Sequence, residues 1–166
     1  MRLDEGKQRF IHAWGNLGMN WGVNKTMGQV HGLLLVMTEP ICADQIMQEL
    51  QISRGNANMN LRALIDWGIV HKKFKTGERK EFFSAEKDMW KVLQCIIKQR
   101  KKKELDPMIK VLDEISNVQP VCDESDEFCK IVKQLQVYSK KADSALDNLA
   151  GSENNWLMQG FMRMMR

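Results

Sequence analysis

Between Ser53 and Gly68 the chain reads SRGNANMNLRALIDWG, and Arg54, Asn56, Asn58, Asn60 and Arg62 make this stretch dense in side-chain hydrogen-bond donors. An amide or a guanidinium holds its polar atoms in a fixed fork, Asn matching the edge of adenine and Arg that of guanine in a major groove. Ser53 can act as an N-cap by accepting from an unpaired N–H of the first turn, and Gly68 supplies a left-handed stop. At about 100° per residue, Ala57, Leu61, Leu64 and Ile65 fall on one face while Asn56, Met59, Arg62 and Ala63 point the other way. The pattern predicts a helix with an apolar inside and an exposed side carrying all five Asn and Arg residues. Propensity does not account for that side, since Asn is a mediocre helix former and Gly55 a poor one. A polar face on a lone helix is most often merely solvated, so its neighbours decide what this one is for.

The segment before it, ADQIMQEL (residues 43–50), carries Ile46, Met47 and Leu50 as a buried stripe, and only Gln51 and Ile52 separate it from Ser53. Two short helices joined this tightly are a helix-turn-helix. After Gly68, IVHKKF and KEFFSA are β-branched or aromatic runs around KTGER, so they read as a hairpin. Lys72, Lys73, Lys75, Arg79 and Lys80 decorate it. Upstream, Leu3, Phe10, Ile11, Trp14 and Leu17 fit a helix over 3–17, which the glycine-spaced GNLGMNWG follows. A further helix over about 24–37 has Met27, Val30, Leu34 and Met37 on one side and Pro40 closing it. Three helices and a basic hairpin in this order predict a mainly α fold with a small β-hairpin wing, a winged helix-turn-helix.

Downstream, EKDMWKVLQCIIKQRKKKELD predicts a long helix with Met89, Trp90, Leu93, Ile96 and Ile97 inward, ending in Lys98, Arg100, Lys101, Lys102 and Lys103. That basic cluster is either a solvated helix end or a phosphate contact, which positions without specifying sequence. Pro107 marks a break or a new helix start, and helices over about 107–116 and 123–149 complete the regular part. In the last of these, Phe128, Ile131, Val132, Leu135, Val137 and Leu146 make more apolar surface than a peripheral helix needs. Together with the 3–17 helix it is expected to bury a two-fold interface. The organisation predicted is an N-terminal helix of the dimer interface over 1–20, a DNA-binding winged helix-turn-helix over 21–86, and a helical linker and dimerisation region over 87–166.

Charge is unevenly distributed. Lys and Arg outnumber Asp and Glu by 18 to 10 up to residue 103 and are outnumbered by 7 to 11 from residue 104 onward. The first part has the electrostatics of something that meets a polyanion. No run of about 18 apolar residues occurs and the first residues are charged, which predicts neither a membrane span nor a secretory signal, and a cytoplasmic location. Cys42, Cys95, Cys122 and Cys129 contain no CxxC pair and read as reduced thiols. His12, His31 and His71 lack ligand spacing, so neither metal nor cofactor is expected. The tryptophans Trp14, Trp21, Trp67, Trp90 and Trp156 could cage a quaternary ammonium ion, but core packing is the plainer reading. The Met-rich tail NNWLMQGFMRMMR reads as a packed interface. Cys42 stands where a helix cap is wanted; a thiol there can serve as a redox sensor, although an inert buried cysteine is the simpler expectation.

The segment from Trp21 to Val92, and above all ISRGNANMNLRALIDWG and GERKEFF, resembles the GbsR branch of the MarR-type transcriptional regulators. The resemblance implies a homodimeric winged-helix repressor whose terminal helices form the dimer interface and whose DNA binding an inducer loosens. It places the helix after Ser53 in the major groove and Arg79, at the wing, toward the minor groove. Regulators of choline and glycine betaine metabolism belong to this branch, so a choline-like effector is a family-level expectation only. The candidate DNA contacts are Ser53, Arg54, Asn56, Asn58, Met59, Asn60, Arg62, Lys72, Lys73, Lys75, Arg79 and Lys80, with double-stranded DNA and a second copy of the chain as partners. Two other classes compete. A protein-interaction winged helix predicts an uncharged or acidic wing, against the residues found, and an enzyme predicts a Cys/His signature, phosphate loop or paired carboxylates, none of which the sequence contains.

Overall fold

The computed structural model describes residues 1–20 and 22–151. It contains helices α1 (Leu3–Asn20), α2 (Lys25–Val36), α3 (Ala43–Leu50), α4 (Arg54–Asp66), α5 (Met89–Arg100), α6 (Asp106–Ile115) and α7 (Asp123–Gly151), with strands β1 (Ile41–Cys42), β2 (Val70–Lys73) and β3 (Phe82–Ala85). The described residues are mainly helical, with one three-stranded antiparallel sheet among them in the order β1-β3-β2. The described residues form two compact units, one up to Val92 and one from Leu93 onward. Trp21, Trp156 and the Met-rich tail fall outside the described residues.

In the first unit the core is built from Ile11 of α1, Val30, Leu33 and Leu34 of α2, Ile46 of α3, Leu61 and Leu64 of α4, and Val70 of β2. The glycine-spaced segment does not punctuate α1, which continues through Gly15 and Gly18 to Asn20. These glycines let two helices touch. A Cβ on Gly28 of α2 would lie 3.0 Å from Gly15 Cα and 3.2 Å from the Trp14 carbonyl oxygen, backbone that cannot step aside. Across the same contact the Trp14 indole N–H donates to His31 Nδ1 at 3.1 Å, and Trp14 stacks on Phe10.

The sheet contains one strand more than the hairpin read from sequence. Ile41 and Cys42 pair with Phe83 and Phe82, so β3 is the central strand. Cys42 is buried there, its backbone N–H donating to Gln45 Oε1 at 2.9 Å as α3 begins. Just after β3, Lys87 Nζ donates to the carbonyls of Leu34, Leu35 and Met37 at 2.8, 2.7 and 2.8 Å. One ammonium thus closes the carbonyl end of α2, where the helix dipole favours a cation.

In the second unit, α5 does not break before Pro107. A π-helical turn over Lys101–Leu105 carries the chain into α6, with Asp106 N–H reaching the Lys101 carbonyl. The wider turn suits a proline, which has no N–H to give and whose ring crowds the carbonyl four residues back. Leu112 of α6 and Val132 of α7 are buried, and Asp113 accepts from Lys140 at 2.8 Å and from the Gln136 amide. Among the described residues no helix is long and apolar enough to cross a membrane.

His31 makes the first unit sensitive to acid. Its Nδ1 already accepts from Trp14 and its Nε2 is buried without a partner among the described residues. Burial first, and Lys87 second, lower its pKa from 6.5 to about 4. The unfolded chain therefore takes up a proton below about pH 6.5 that the folded chain refuses until about pH 4. Stability is full above pH 6.5 and falls across that window by on the order of 3 kcal/mol. Urea midpoints at pH 7 and pH 4.5 should differ accordingly, and His31→Gln should remove most of the difference; an equal pH slope in the variant would contradict this.

Candidate nucleic-acid interface

The turn between α3 and α4 is made by one residue in an unusual conformation. Gln51 has φ 52° and ψ 46°, and its N–H bonds to the Met47 carbonyl. Ile52 N–H reaches the same carbonyl at 3.2 Å, the long-range bond of a left-handed helix ending. Gln51 also donates its side-chain amide to the Gln48 carbonyl at 2.7 Å. The chain is then free to start again at once, and Ser53 Oγ accepts from Asn56 N–H at 3.3 Å to cap α4.

On α4 the expected faces are met in the main, with Asn56, Ala63 and Ile65 half-buried at their edges and one clear reversal. Ala57, Leu61 and Leu64 are buried, while Arg54, Asn58, Met59 and Arg62 are exposed, Met59 with 57% of its surface in solvent. Asn60, expected outside, is buried at 2% exposure. Its amide donates to the Asn56 carbonyl at 2.8 Å and to Asn56 Oδ1 at 2.6 Å. Asn60 closes the edge of the core and orients half-buried Asn56; it is no surface donor.

The basic residues of the wing fall into two groups. Lys72 pairs with Glu81 across the hairpin at 2.8 Å, and Lys75 lies over the ring of buried Phe82 at 4.3 Å. Lys80 reaches back to Asp44 Oδ2 at 3.2 Å, while Arg54 holds Asp44 Oδ1 at 2.7 Å. One carboxylate at the start of α3 thereby joins the first turn of α4 to the wing. Lys73 and Arg79 of the wing, and Asn58 and Arg62 of α4, are exposed and have no side-chain partner among the described residues. Gly77 turns the hairpin with φ 85°.

The basic cluster after the wing is less uniform than its sequence. Lys101 is largely covered, bonding Asp143 at 3.0 Å and Asp147 at 2.6 Å, and these hydrogen bonds raise its pKa. Arg100 pairs with Glu104. Lys98 and Lys102 remain solvent-facing. Sequence reading missed Asp44 as the shared acceptor and the left-handed Gln51. It also passed over Phe74, an apolar residue set among charges at the end of β2.

No family model matches the chain. Among curated proteins it is similar to the HTH-type transcriptional repressor GbsR of Bacillus subtilis (strain 168), 32% identical over 71 residues, which are 43% of this chain and 39% of that protein. From the same organism, the HTH-type transcriptional repressor OpcR is 25% identical over 88 residues, 53% of this chain and 48% of that one. The putative HTH-type transcriptional regulator YvaV is 22% identical over 88 residues, 53% and 50% of the two chains. The chain thus spans about half the length of the curated relatives it matches. A crystal structure of a transcriptional regulator superposes with a TM-score of 0.68 at 16% identity, covering 88% of this chain and 96% of that one, a likeness of fold.

A left-handed residue with a Cβ costs about 1 kcal/mol or more relative to glycine, and a β-branched residue fits that region worst. Gln51→Val should therefore lower the unfolding free energy by about 1–2 kcal/mol, whereas Gln51→Gly should leave it unchanged or raised. Chemical denaturation of both variants checks this, and a Val variant as stable as the parent would contradict the turn geometry.

Proposed function

We propose that this chain, whose sequence and fold fit a winged helix-turn-helix regulator of the GbsR and MarR type, is a sequence-specific DNA-binding transcriptional repressor that acts as a homodimer on a pseudo-palindromic operator. The observation that carries the reading is the outward face of α4, where Asn58, Met59 and Arg62 stand exposed and uncommitted beside a wing rich in lysine and arginine. A guanidinium there can fork to guanine O6 and N7, an amide can read adenine, and the Met59 side chain can pack on a thymine methyl. Lys73 and Arg79 supply the phosphate and minor-groove contacts that position without specifying. Arg54 and Lys80 are held by an exposed carboxylate, and exposed ion pairs of this kind are worth under about 1 kcal/mol. Phosphates can replace that carboxylate at little cost.

Repression in this reading is steric, two copies of α4 occupying successive major grooves about 34–36 Å apart. Support for a dimer comes from α7. Phe128, Ile131, Leu135 and Tyr138 are exposed at 42, 49, 43 and 68% and follow one another at intervals of three, four and three residues. That is the spacing of a helix seam, and it lies apart from Val132, which is buried. On α1, Leu3, Phe10 and Leu17 are also exposed, seven residues apart. Release by a small-molecule inducer, choline- or betaine-like by family analogy alone, and a cytoplasmic site of action belong to the same proposal. A protein-interaction module is the weaker reading, because it gives no reason for the unpaired cations of the wing.

Light scattering at micromolar concentration should return about twice the chain mass of 19.3 kDa, and a strict monomer would overturn the dimer and the palindrome together. Selection of duplexes from a random library should yield a consensus for the parent chain. Arg62→Ala should cost on the order of 1–3 kcal/mol and relax preference at one base pair in each half-site. Retention of the full consensus and affinity by that variant would mean that Arg62 does not read bases.

A further inference from the structure

We infer that Phe74 is a DNA-contacting residue of the wing, an apolar wedge that enters the minor groove and packs between its sugars at a base step. The inference rests on the DNA-binding reading above and adds a contact that charge does not supply. Phe74 follows the last residue of β2 and is 80% exposed, the most exposed aromatic side chain among the described residues. The wing does not need it for its own packing. Phe82 and Phe83 of the facing strand are buried at 6 and 4% exposure, and Lys75 already covers the Phe82 ring.

The chemistry around Phe74 points to one occupant. Lys72, Lys73 and Lys75 flank it, and Arg79 and Lys80 return along the other arm of the hairpin. A ring between cations suits a surface whose anionic rims flank apolar walls, which is what a minor groove offers: phosphates on both sides, with sugars lining the walls above the base edges. Apolar side chains placed so can partly unstack a step and bend the duplex. The wing is also continuous with the base-reading surface, since Lys80 of the wing and Arg54 of α4 share the Asp44 carboxylate. A duplex seated on α4 would therefore extend over the residues that carry Phe74.

Apolar and ionic contacts differ in their salt dependence, because burying a phenyl ring releases no counterions whereas each neutralised phosphate adds about 0.9 to the slope of log affinity against log salt. Fluorescence anisotropy of the full chain on the selected duplex, at several salt concentrations, separates the two. Phe74→Ala should weaken binding about tenfold at every salt concentration with an unchanged slope, Phe74→Leu should recover most of the loss, and Lys73→Ala should flatten the slope. Thermal melting of Phe74→Ala should match the parent, given the exposure of the side chain. Parent-like affinity in Phe74→Ala, a lowered melting temperature, or a changed light-scattering mass would each overturn the inference, the last by assigning the ring to a contact between copies. Failure of the parent chain to bind any duplex would instead overturn the proposed function, and this inference with it.

Discussion

The geometry of the candidate interface depends on one backbone constraint, the left-handed residue at Gln51. With only Gln51, Ile52 and the capping Ser53 between α3 and α4, little loop is left to adjust the angle between the helices, and the left-handed dihedrals of Gln51 with the two bonds to the Met47 carbonyl constrain it. Ser53 starts the next helix with its own cap. Because the two helices are fixed in this way, Ile46 of α3 and Leu61 and Leu64 of α4 are carried into one core, and the opposite side of α4 is turned outward by the same 3.6-residue period. Burial of one stripe thus aims the other.

One cation, Lys87, and one carboxylate, Asp44, hold the surrounding elements at different strengths. Lys87 gives three hydrogen bonds to the end of α2, and burial pushes its pKa below the ordinary lysine value. Such a fixed joint anchors the residues after β3 to the helix behind α4. Asp44, by contrast, joins α4 to the wing through exposed pairs to Arg54 and Lys80. In the proposed reading, where phosphates take over such internal partners, bonds of that weaker kind leave the competing anion less to displace.

Much of this was legible in the sequence, and the exceptions have physical causes. The span of α3 and the cap, stripe and stop of α4 were readable because local chemistry and period agree. Asn60 was misassigned because polarity was taken as exposure; it stands three residues from Ala57 and four from Leu64, on the buried side, and Asn56 satisfies its amide. Gly15 and Gly18 looked like punctuation, since a glycine that ends a helix and one that admits a neighbouring backbone are the same letter; the partner, Gly28, lies far along the chain. Strand β1 is two residues long and is defined only by its pairing with Phe82 and Phe83. The run of basic residues near Lys101 hid an ionic contact with Asp143 and Asp147 that no local pattern contains.

The central claim is that the outward face of α4 reads the major groove. Dimethyl sulfate tests it directly, because the reagent methylates guanine N7 on the major-groove side and adenine N3 on the minor-groove side. Bound to a duplex that the chain selects, the protein should protect guanine N7 in two patches one helical turn apart on the same side of the duplex. Tight binding with every guanine N7 still reactive, or with adenine N3 protected alone, would contradict the account.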